Sequence, residues 1–269
     1  MYKRQNQAIV VERTALESGD LAQVVLNNPK KRNALSGEVM RELTATLYDL
    51  SQDPAVRVIV LEGVGPAFSA GHDISEMVGR DEAFYNSLFG DCSKLMATLH
   101  AVPQPVIAKV DGVATAAGCQ LVAACDLAVV SDRSSFATPG VRIGLFCSTP
   151  MVPLTRAIGR KRAMEMLLTA EPISSEVALR WGLVNKVVPP EELDGEVMEL
   201  ALRISQFSRD TIALGKRTFY RQADMTEEQA YGVASEAMVC NANMEDAQEG
   251  MDAFISKREP QWSDKPAVV

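Results

Sequence analysis

The sequence predicts an α/β fold in which repeated βα or ββα units stack along an axis and a helical segment follows. Three short β-branched strand patterns of one type recur, VRVIVLEG, PVIAKVDG and DLAVVSD, at residues 56–63, 105–112 and 126–132. A small-residue turn and then a helical pattern follow each of them. From about Glu191 onward the strand pattern stops and helical periodicity continues toward the C-terminus.

The N-terminal region is expected to form a hairpin and then an amphipathic helix. The patterns AIVVER and LAQVVLN are separated by a turn that contains Gly19, which is typical of two paired strands. Ser36 is a candidate N-cap because a serine side chain accepts a hydrogen bond from a first-turn NH group. The helix after it carries one apolar stripe, made of Val39, Leu43, Leu47 and Leu50.

The change from strand patterns to helical periodicity predicts that the chain has two parts. The strands of the first part show little alternation of apolar and polar residues, as expected of strands that are buried on both faces. We assign residues 1–190 to a core that carries the functional site, and residues 191–269 to a helical C-terminal segment. No low-complexity linker separates the two parts.

Composition narrows the class of function and the compartment. A formal net charge of −8 opposes a surface built to neutralise nucleic-acid phosphates. No apolar signal core follows the N-terminal basic residues, and no run approaches the ~20 apolar residues of a membrane-spanning helix. The odd number of cysteines, without paired CxxC spacing, favours reduced thiols over disulfides or structural zinc. These cysteines are Cys92, Cys119, Cys125, Cys147 and Cys240.

Two stretches rich in small residues are the candidates for a binding or catalytic site. ATAAGCQL, at residues 114–121, opens a helix whose first free NH groups favour a developing negative charge. Close packing of this helix on a strand is the alternative interpretation. FSAGHDISEM, at residues 68–77, forms a turn that would present the backbone NH of His72 toward the helix start near Ala117. Two such donors would make a pocket for a carbonyl oxygen.

These phrases, with LNNPKKRNALS, SSFATPGVRIGL and AMEMLLTAEPISSEVALRWGLVNKVV, resemble the enoyl-CoA hydratase/isomerase (crotonase) family over almost the whole chain. FSAGHD, ATAAGCQL and SSFATPG with GLFCSTP are similar in particular to the enoyl-CoA hydratase domain-containing protein 3 branch of it. The resemblance implies a crotonase-type spiral of ββα repeats, a C-terminal trimerisation segment and a homotrimer or hexamer. It also implies an acyl-CoA thioester as ligand, with coenzyme A as part of the substrate and no separate cofactor or metal.

The resemblance assigns site residues as well. The backbone NH groups of His72 and Ala117 match the oxyanion hole of the family, while the His72 imidazole is expected to point away and to bond to a neighbour. A catalytic role for that imidazole stays open. Lys257 is also consistent with one charge on a solvated face. The coenzyme A contacts implied by the resemblance are Lys30, Arg32, Ala34, Ala70, Phe254 and Lys257.

The chain departs from the family pattern at the positions of two catalytic glutamates. In the hydratases of the family two glutamates, in a GGGCE phrase and a PE phrase, activate the water that adds to the double bond. Gln120 and Gly140 stand at those positions, beside Cys119 and Pro139. Glutamine orients a water but accepts no proton at neutral pH, and glycine does neither. A positioned acid or base contributes roughly 10^2 to 10^4 in rate, so weak or altered hydratase activity is expected.

No other residue is an obvious replacement. Cys147 and Ser148 lie in the loop that borders the acyl end of the pocket in relatives, but neither has an evident activating neighbour. Asp73 and Asp126 are more typical of carboxylates that bind backbone NH groups. His100 has no identifiable partner in the sequence.

Three functions stay in view. The first is an enzyme of fatty-acid or acyl-CoA metabolism that acts on a thioester. The second, which is the alternative to it, is a catalytically silent acyl-CoA binder or regulator. The third, RNA binding, would need a lysine-rich helix, and the basic run at residues 30–32 is too short. The expected partners therefore include no nucleic acid and no membrane. The expected compartment is the cytoplasm, or the mitochondrial matrix in a eukaryote.

Overall fold

Two sheets and eleven helices make up the part of the chain, residues 7–263, that the computed structural model describes. The strands are β1 Ile9–Leu16, β2 Gly19–Leu26, β3 Val56–Gly63, β4 Ala67–Ser69, β5 Val106–Val110, β6 Val113–Thr115, β7 Leu127–Ser131, β8 Ser135–Ala137, β9 Ile173–Ser174 and β10 Lys186–Val188. The helices are α1 Gly37–Ser51, α2 Ile74–Met77, α3 Glu82–Ala101, α4 Ala117–Ala124, α5 Met151–Ile158, α6 Arg160–Thr169, α7 Ser175–Trp181, α8 Leu193–Ser205, α9 Arg209–Gln222, α10 Glu227–Ala242 and α11 Glu245–Ser256.

The strands alternate between the two sheets. The larger sheet has the order β1-β2-β3-β5-β7-β10, and the smaller sheet has the order β4-β6-β8-β9. Pairing is parallel except between β1 and β2 and between β8 and β9. Each of the pairs β3/β4, β5/β6 and β7/β8 therefore places its first strand in one sheet and its second in the other. The predicted α/β spiral of ββα repeats is confirmed.

The N-terminal hairpin and the first helix follow the sequence pattern. β1 and β2 pair antiparallel, with Ile9 opposite Leu26. The Ser36 side chain accepts a hydrogen bond from the Val39 NH at 3.2 Å, which is the predicted N-cap. All four residues of the predicted apolar stripe of α1 are buried.

The larger sheet has an apolar layer on each face. α1 and α3 belong to the main core on one side, while Leu193, Val197 and Ala201 of α8 pack with Val58 and Val60 of β3 on the other. The first helix after residue 190 thus covers the sheet. The proposed division of the chain at that point stays a prediction.

A buried polar cluster ties α9 to the core. The Lys216 Nζ atom donates to Asp126 Oδ2 at 2.6 Å and to the Leu99 carbonyl at 2.8 Å. The Tyr220 hydroxyl donates to the other Asp126 oxygen at 2.7 Å, and the Val106 NH donates to Asp126 Oδ2 at 2.7 Å. The expected role of Asp126 in binding a backbone NH group is thus confirmed.

His100 does have a partner, contrary to expectation. Its ring stacks on that of Tyr220, with the two centroids 3.9 Å apart. The two residues are 120 positions apart in the sequence, so only the packing of α9 on α3 brings them together. The pair belongs to the cluster that holds α9 in place.

Within the described residues, none of the helices is long and apolar enough to cross a bilayer. The same residues contain no group of three or more His, Cys, Asp or Glu side chains arranged to hold a metal ion. The five cysteines are unpaired, and Cys240 alone among them is exposed.

Candidate functional site

The turn between β4 and α2 lies against the start of α4. Gly71 has a φ of +86°, which favours glycine. A Cβ atom at Gly71 would lie 2.9 Å from the Thr115 carbonyl oxygen and 3.1 Å from the Ala117 nitrogen. Glycine is needed here because the two backbone segments approach so closely. This contact places His72 beside the N-terminus of α4, as the sequence predicts.

The backbone NH groups of His72 and Ala117 are free in the described structure. Leu35 bridges the residues on either side of His72, donating to the Gly71 carbonyl at 2.8 Å and accepting from the Asp73 NH at 3.3 Å. In this parallel pattern the NH of the bridged residue itself points away. Ala117 is the first residue of α4, so its NH has no partner within the helix. Both NH groups therefore lack a partner within the described residues, and both residues line the same cavity.

Ala116 precedes α4 in an unusual conformation. Its φ is +49° and its ψ is −118°, a region that glycine adopts readily and alanine does not. Backbone strain of this kind concentrates at functional sites. A glycine would suit this conformation better than the alanine that is present.

A cavity of about 520 Å³ opens beside the two NH groups. Its lining includes His72, Ala117, Ala70 and Gly140, which brings four of the predicted site residues together. Its walls are mostly apolar, as is usual for sites that take hydrocarbon ligands. The larger apolar residues of the wall are Ile74, Met77, Phe89, Ile143, Leu145 and Phe146.

The two positions that carry no acid differ in their surroundings. Gly140 lines the cavity, whereas Gln120 does not belong to its lining and is only 3% exposed. The Gln120 Oε1 atom accepts a hydrogen bond from the Cys92 thiol at 3.5 Å. Gly140 therefore borders the cavity, whereas Gln120 lies behind its wall.

The imidazole of His72 makes no hydrogen bond of ordinary geometry, so the expected bond to a neighbour is not found. Both ring nitrogens are buried and neither has a hydrogen-bond partner in the described structure. The ring instead meets Phe89 edge to face, with the centroids 5.6 Å apart. Burial lowers the pKa of His72, while the nearby Leu35 carbonyl, too poorly placed for a full hydrogen bond, and the charge of Glu76 oppose that shift in part. The ring is therefore neutral at physiological pH.

The other titratable side chains of the wall are Arg142 and Cys147. Arg142 donates to Glu171 at 2.9 Å across the exposed rim. Burial raises the pKa of Cys147, and it raises that of the nearby Cys119 to about 12. A thiol with a raised pKa stays protonated and is a poor base. Among the described residues, no carboxylate lines the cavity.

The segment predicted to contact coenzyme A lies next to Ala70. The Ala70 NH donates to the Arg32 carbonyl at 2.9 Å, and the side chains of Lys30 and Arg32 are exposed. Asn33 fixes the turn, since its Nδ2 atom donates to the carbonyls of Val64 and Ala67 at 3.0 and 2.8 Å. Asn33 lies within the predicted 30–34 segment, and its φ of +53° is one that asparagine adopts more readily than most residues.

Asp73 has the structural role expected of it. One of its oxygens accepts from the Ser75 NH at 3.1 Å, and the other binds the Lys31 ammonium at 2.6 Å. These contacts lower the pKa of Asp73. The carboxylate therefore caps α2 and anchors the basic segment, and it does not belong to the lining of the cavity.

The late helix does not reach this cavity within one chain. Phe254 is 85% exposed and lines a separate groove with Phe207 and Met251. Lys257 ends α11 with a φ of +54°. Neither Phe254 nor Lys257 lines the cavity, so their contact with coenzyme A stays a prediction.

The chain is similar to known proteins in both sequence and fold. The model of the enoyl-CoA hydratase/isomerase family matches residues 17–265. The mitochondrial enoyl-CoA hydratase domain-containing protein 3 of Mus musculus is 51% identical over 243 residues, which cover 89% of this chain and 80% of that protein.

Two crystal structures have the same fold. That of human enoyl-CoA hydratase domain-containing protein 3 superposes with a TM-score of 0.89 at 47% identity, covering 94% of this chain and 99% of the other. That of an enoyl-CoA hydratase of Mycobacterium smegmatis superposes with a TM-score of 0.92 at 43% identity, covering 96% and 99%. The similarity therefore extends over the spiral core and the C-terminal helices alike.

Proposed function

Because the chain belongs to the enoyl-CoA hydratase/isomerase family, we propose that it binds an acyl-CoA thioester with the thioester oxygen between the NH groups of His72 and Ala117. The observation that carries this proposal is the pair of free donors at the mouth of an apolar cavity of about 520 Å³. Two such donors stabilise the negative charge that forms on the oxygen when a thioester becomes an enolate. The acyl chain occupies the apolar cavity.

Ordinary hydration is not the reaction that these residues support. Water addition needs groups that position the water and transfer its protons. Gly140 has no side chain, and Gln120 is turned to Cys92 behind the wall. Weak or altered hydratase-type activity in acyl-CoA metabolism follows. A catalytically silent acyl-CoA binder is the second candidate, and it is favoured by the lack of a carboxylate among the described lining residues.

Calorimetry with octanoyl-CoA tests the binding proposal. Wild-type protein is expected to bind in the micromolar range, and Leu145→Asp, on the apolar wall, to bind at least tenfold more weakly. Val141→Asp is the matched control, because Val141 is similarly exposed in the same segment but does not line the cavity. No binding by wild type at high micromolar concentration would overturn the proposal. A turnover assay with enoyl-CoA then separates an enzyme from a silent binder.

Assembly and compartment are part of the proposal. The C-terminal helices leave several large apolar residues exposed, which supports a homotrimer or a hexamer of two trimers. The unpaired cysteines support a reducing compartment. We propose the cytoplasm, or the mitochondrial matrix in a eukaryote, as the place of action, and the mitochondrial relative supports the second option.

A further inference from the structure

We propose that the imidazole of His72 is the group that exchanges a proton with the acyl chain of the bound thioester, so that the chemistry is a one-base proton shift rather than water addition. This inference rests on the proposed function, because it needs a thioester oxygen on the NH groups of His72 and Ala117. It goes beyond that function in naming the residue that acts as acid and base.

The lining of the cavity leaves one candidate base. Of its described residues only His72, Arg142 and Cys147 carry titratable side chains. Arg142 is paired with Glu171 and its guanidinium has no acceptor atom, and burial keeps the Cys147 thiol protonated. A neutral imidazole accepts a proton near neutral pH, which is what a general base requires.

The unpartnered nitrogens of the ring are the second observation. A buried polar atom without a hydrogen bond costs about 1–3 kcal/mol, and such atoms call for an explanation. Neither nitrogen of His72 has a partner, and a phenylalanine would fill the same space beside Phe89 without that cost. A half-turn of the ring about Cβ–Cγ exchanges its nitrogens with its carbons. A ligand in the cavity would then supply the missing partner.

The position of His72 in the chain starts its side chain close to the proposed thioester site. The NH of His72 is one of the two oxyanion donors, so its own side chain starts beside the thioester carbonyl. The carbon next to that carbonyl is the one whose proton becomes acidic when the oxygen is stabilised. Both ring nitrogens are buried in the observed orientation, so the proposed exchange with that carbon also requires the half-turn about Cβ–Cγ.

The His72 ring alone is enough for a proton shift in which atoms and charges balance. A ring nitrogen takes a proton from the α-carbon of a 3-enoyl thioester, and the C–H electron pair forms a dienolate whose charge lies on the oxygen bound by the two NH groups. The imidazolium then returns the proton to the γ-carbon, which gives the 2-enoyl thioester and the neutral ring. No water and no further reactant are consumed.

The pH dependence follows from the groups around the ring. Glu76 on α2 opposes the burial effect on the pKa of His72, while Arg142 and Cys147 face the cavity from the loop after β8. Tyr85 on α3 donates its hydroxyl to the Met77 carbonyl at 2.6 Å. Because the pKa of His72 is below the ordinary value of 6.5, the ring stays neutral and active at mildly acidic pH. Activity is expected to fall only when the pH drops below the pKa of the ring.

Deuterium exchange tests the inference. Wild-type protein in D2O is expected to replace the α-protons of trans-3-hexenoyl-CoA, followed by NMR, and to form the 2-enoyl isomer. His72→Gln keeps both backbone donors, so it should bind the thioester within about threefold of wild type and lose at least ~10^2 of the exchange rate. His100→Phe is the matched control, since it removes the other of the two histidines and keeps the ring on Tyr220.

Four outcomes decide the matter. A wild-type exchange rate that falls through a midpoint below pH 6.5, retained in His100→Phe and lost in His72→Gln, supports the inference. Normal binding without exchange by wild type overturns it and leaves the proposed function standing. An unchanged rate and pH profile in His72→Gln also overturns it. Absence of thioester binding by wild type overturns the proposed function and the inference together.

Discussion

Gly140 lies so close to Cys147 that a Cβ atom at Gly140 would come 2.9 Å from the Cys147 Sγ and 2.7 Å from the Leu145 carbonyl oxygen. Real Cβ atoms do not tolerate such separations, and one of the two contacts is to backbone. A glycine is therefore required at position 140 by the course of the loop that follows it.

This crowding predicts the effect of the smallest possible side chain. Gly140→Ala should lower the free energy of unfolding by about 1–3 kcal/mol, because the loop has to shift to admit a methyl group. Gly195→Ala is the control, since Gly195 is helical and has no atom within 4 Å of its would-be Cβ. That variant should be neutral or stabilising by up to about 1 kcal/mol. Urea denaturation measures both values, and equal effects would refute the crowding.

Ala116 predicts a gain of stability. The φ of +49° at Ala116 costs an alanine about 1–2 kcal/mol of folding free energy, which a glycine would not lose. Part of this advantage is offset because glycine increases the conformational entropy of the unfolded chain. Ala116→Gly should therefore raise the free energy of unfolding by up to about 1 kcal/mol. Ala45→Gly, at an exposed site within α1, should lower it by about 0.5–1 kcal/mol. A loss in both variants would show that Ala116 is unstrained.

Hydration of crotonyl-CoA should be slow. With no water-handling carboxylate, the wild-type rate is expected to be on the order of 10^3 below that of a relative with both glutamates. Gln120→Glu combined with Gly140→Glu should raise the rate only in part, because Gly140 is crowded and Gln120 lies behind the wall. Stopped assays at saturating substrate measure this. A fast wild type that collapses on replacement of Cys147 or Ser148 would contradict the account.

The exposed apolar residues of the C-terminal helices predict the assembly. Met238 is 65% exposed on α10 and Ile255 is 78% exposed on α11, which is unfavourable for a free monomer. Light scattering at micromolar concentration should give a trimer or a hexamer. Met238→Asp should shift the population toward monomer, whereas Tyr48→Asp, on the exposed side of α1, should not. A monomeric wild type would sink the proposed assembly.

Much of the fold is predictable because its signals are local. The cap at Ser36 and the apolar strands β3, β5 and β7 depend on residues within one element. β4, β6 and β8 are missed as strands because three residues each are too few for a periodic pattern. The smaller sheet is thus known only from the structure or from the family resemblance.

The site is predictable in part for a related reason. The approach of His72 to Ala117 follows from glycine and small residues at the right places in two phrases. The unpartnered state of the His72 ring depends on what Phe89 and α2 leave around it, and that is a tertiary property. The burial of Gln120 against Cys92 is of the same kind, since the two residues lie on different helices.

A crystal structure with bound octanoyl-CoA, which offers no double bond for hydration, tests the central claim most directly. The claim predicts the thioester oxygen within about 2.7–3.2 Å of both the His72 and the Ala117 nitrogen. It also predicts the acyl chain in the cavity bounded by Phe89 and Leu145. A thioester oxygen bound to any other donor, or an acyl chain outside that cavity, would contradict the account.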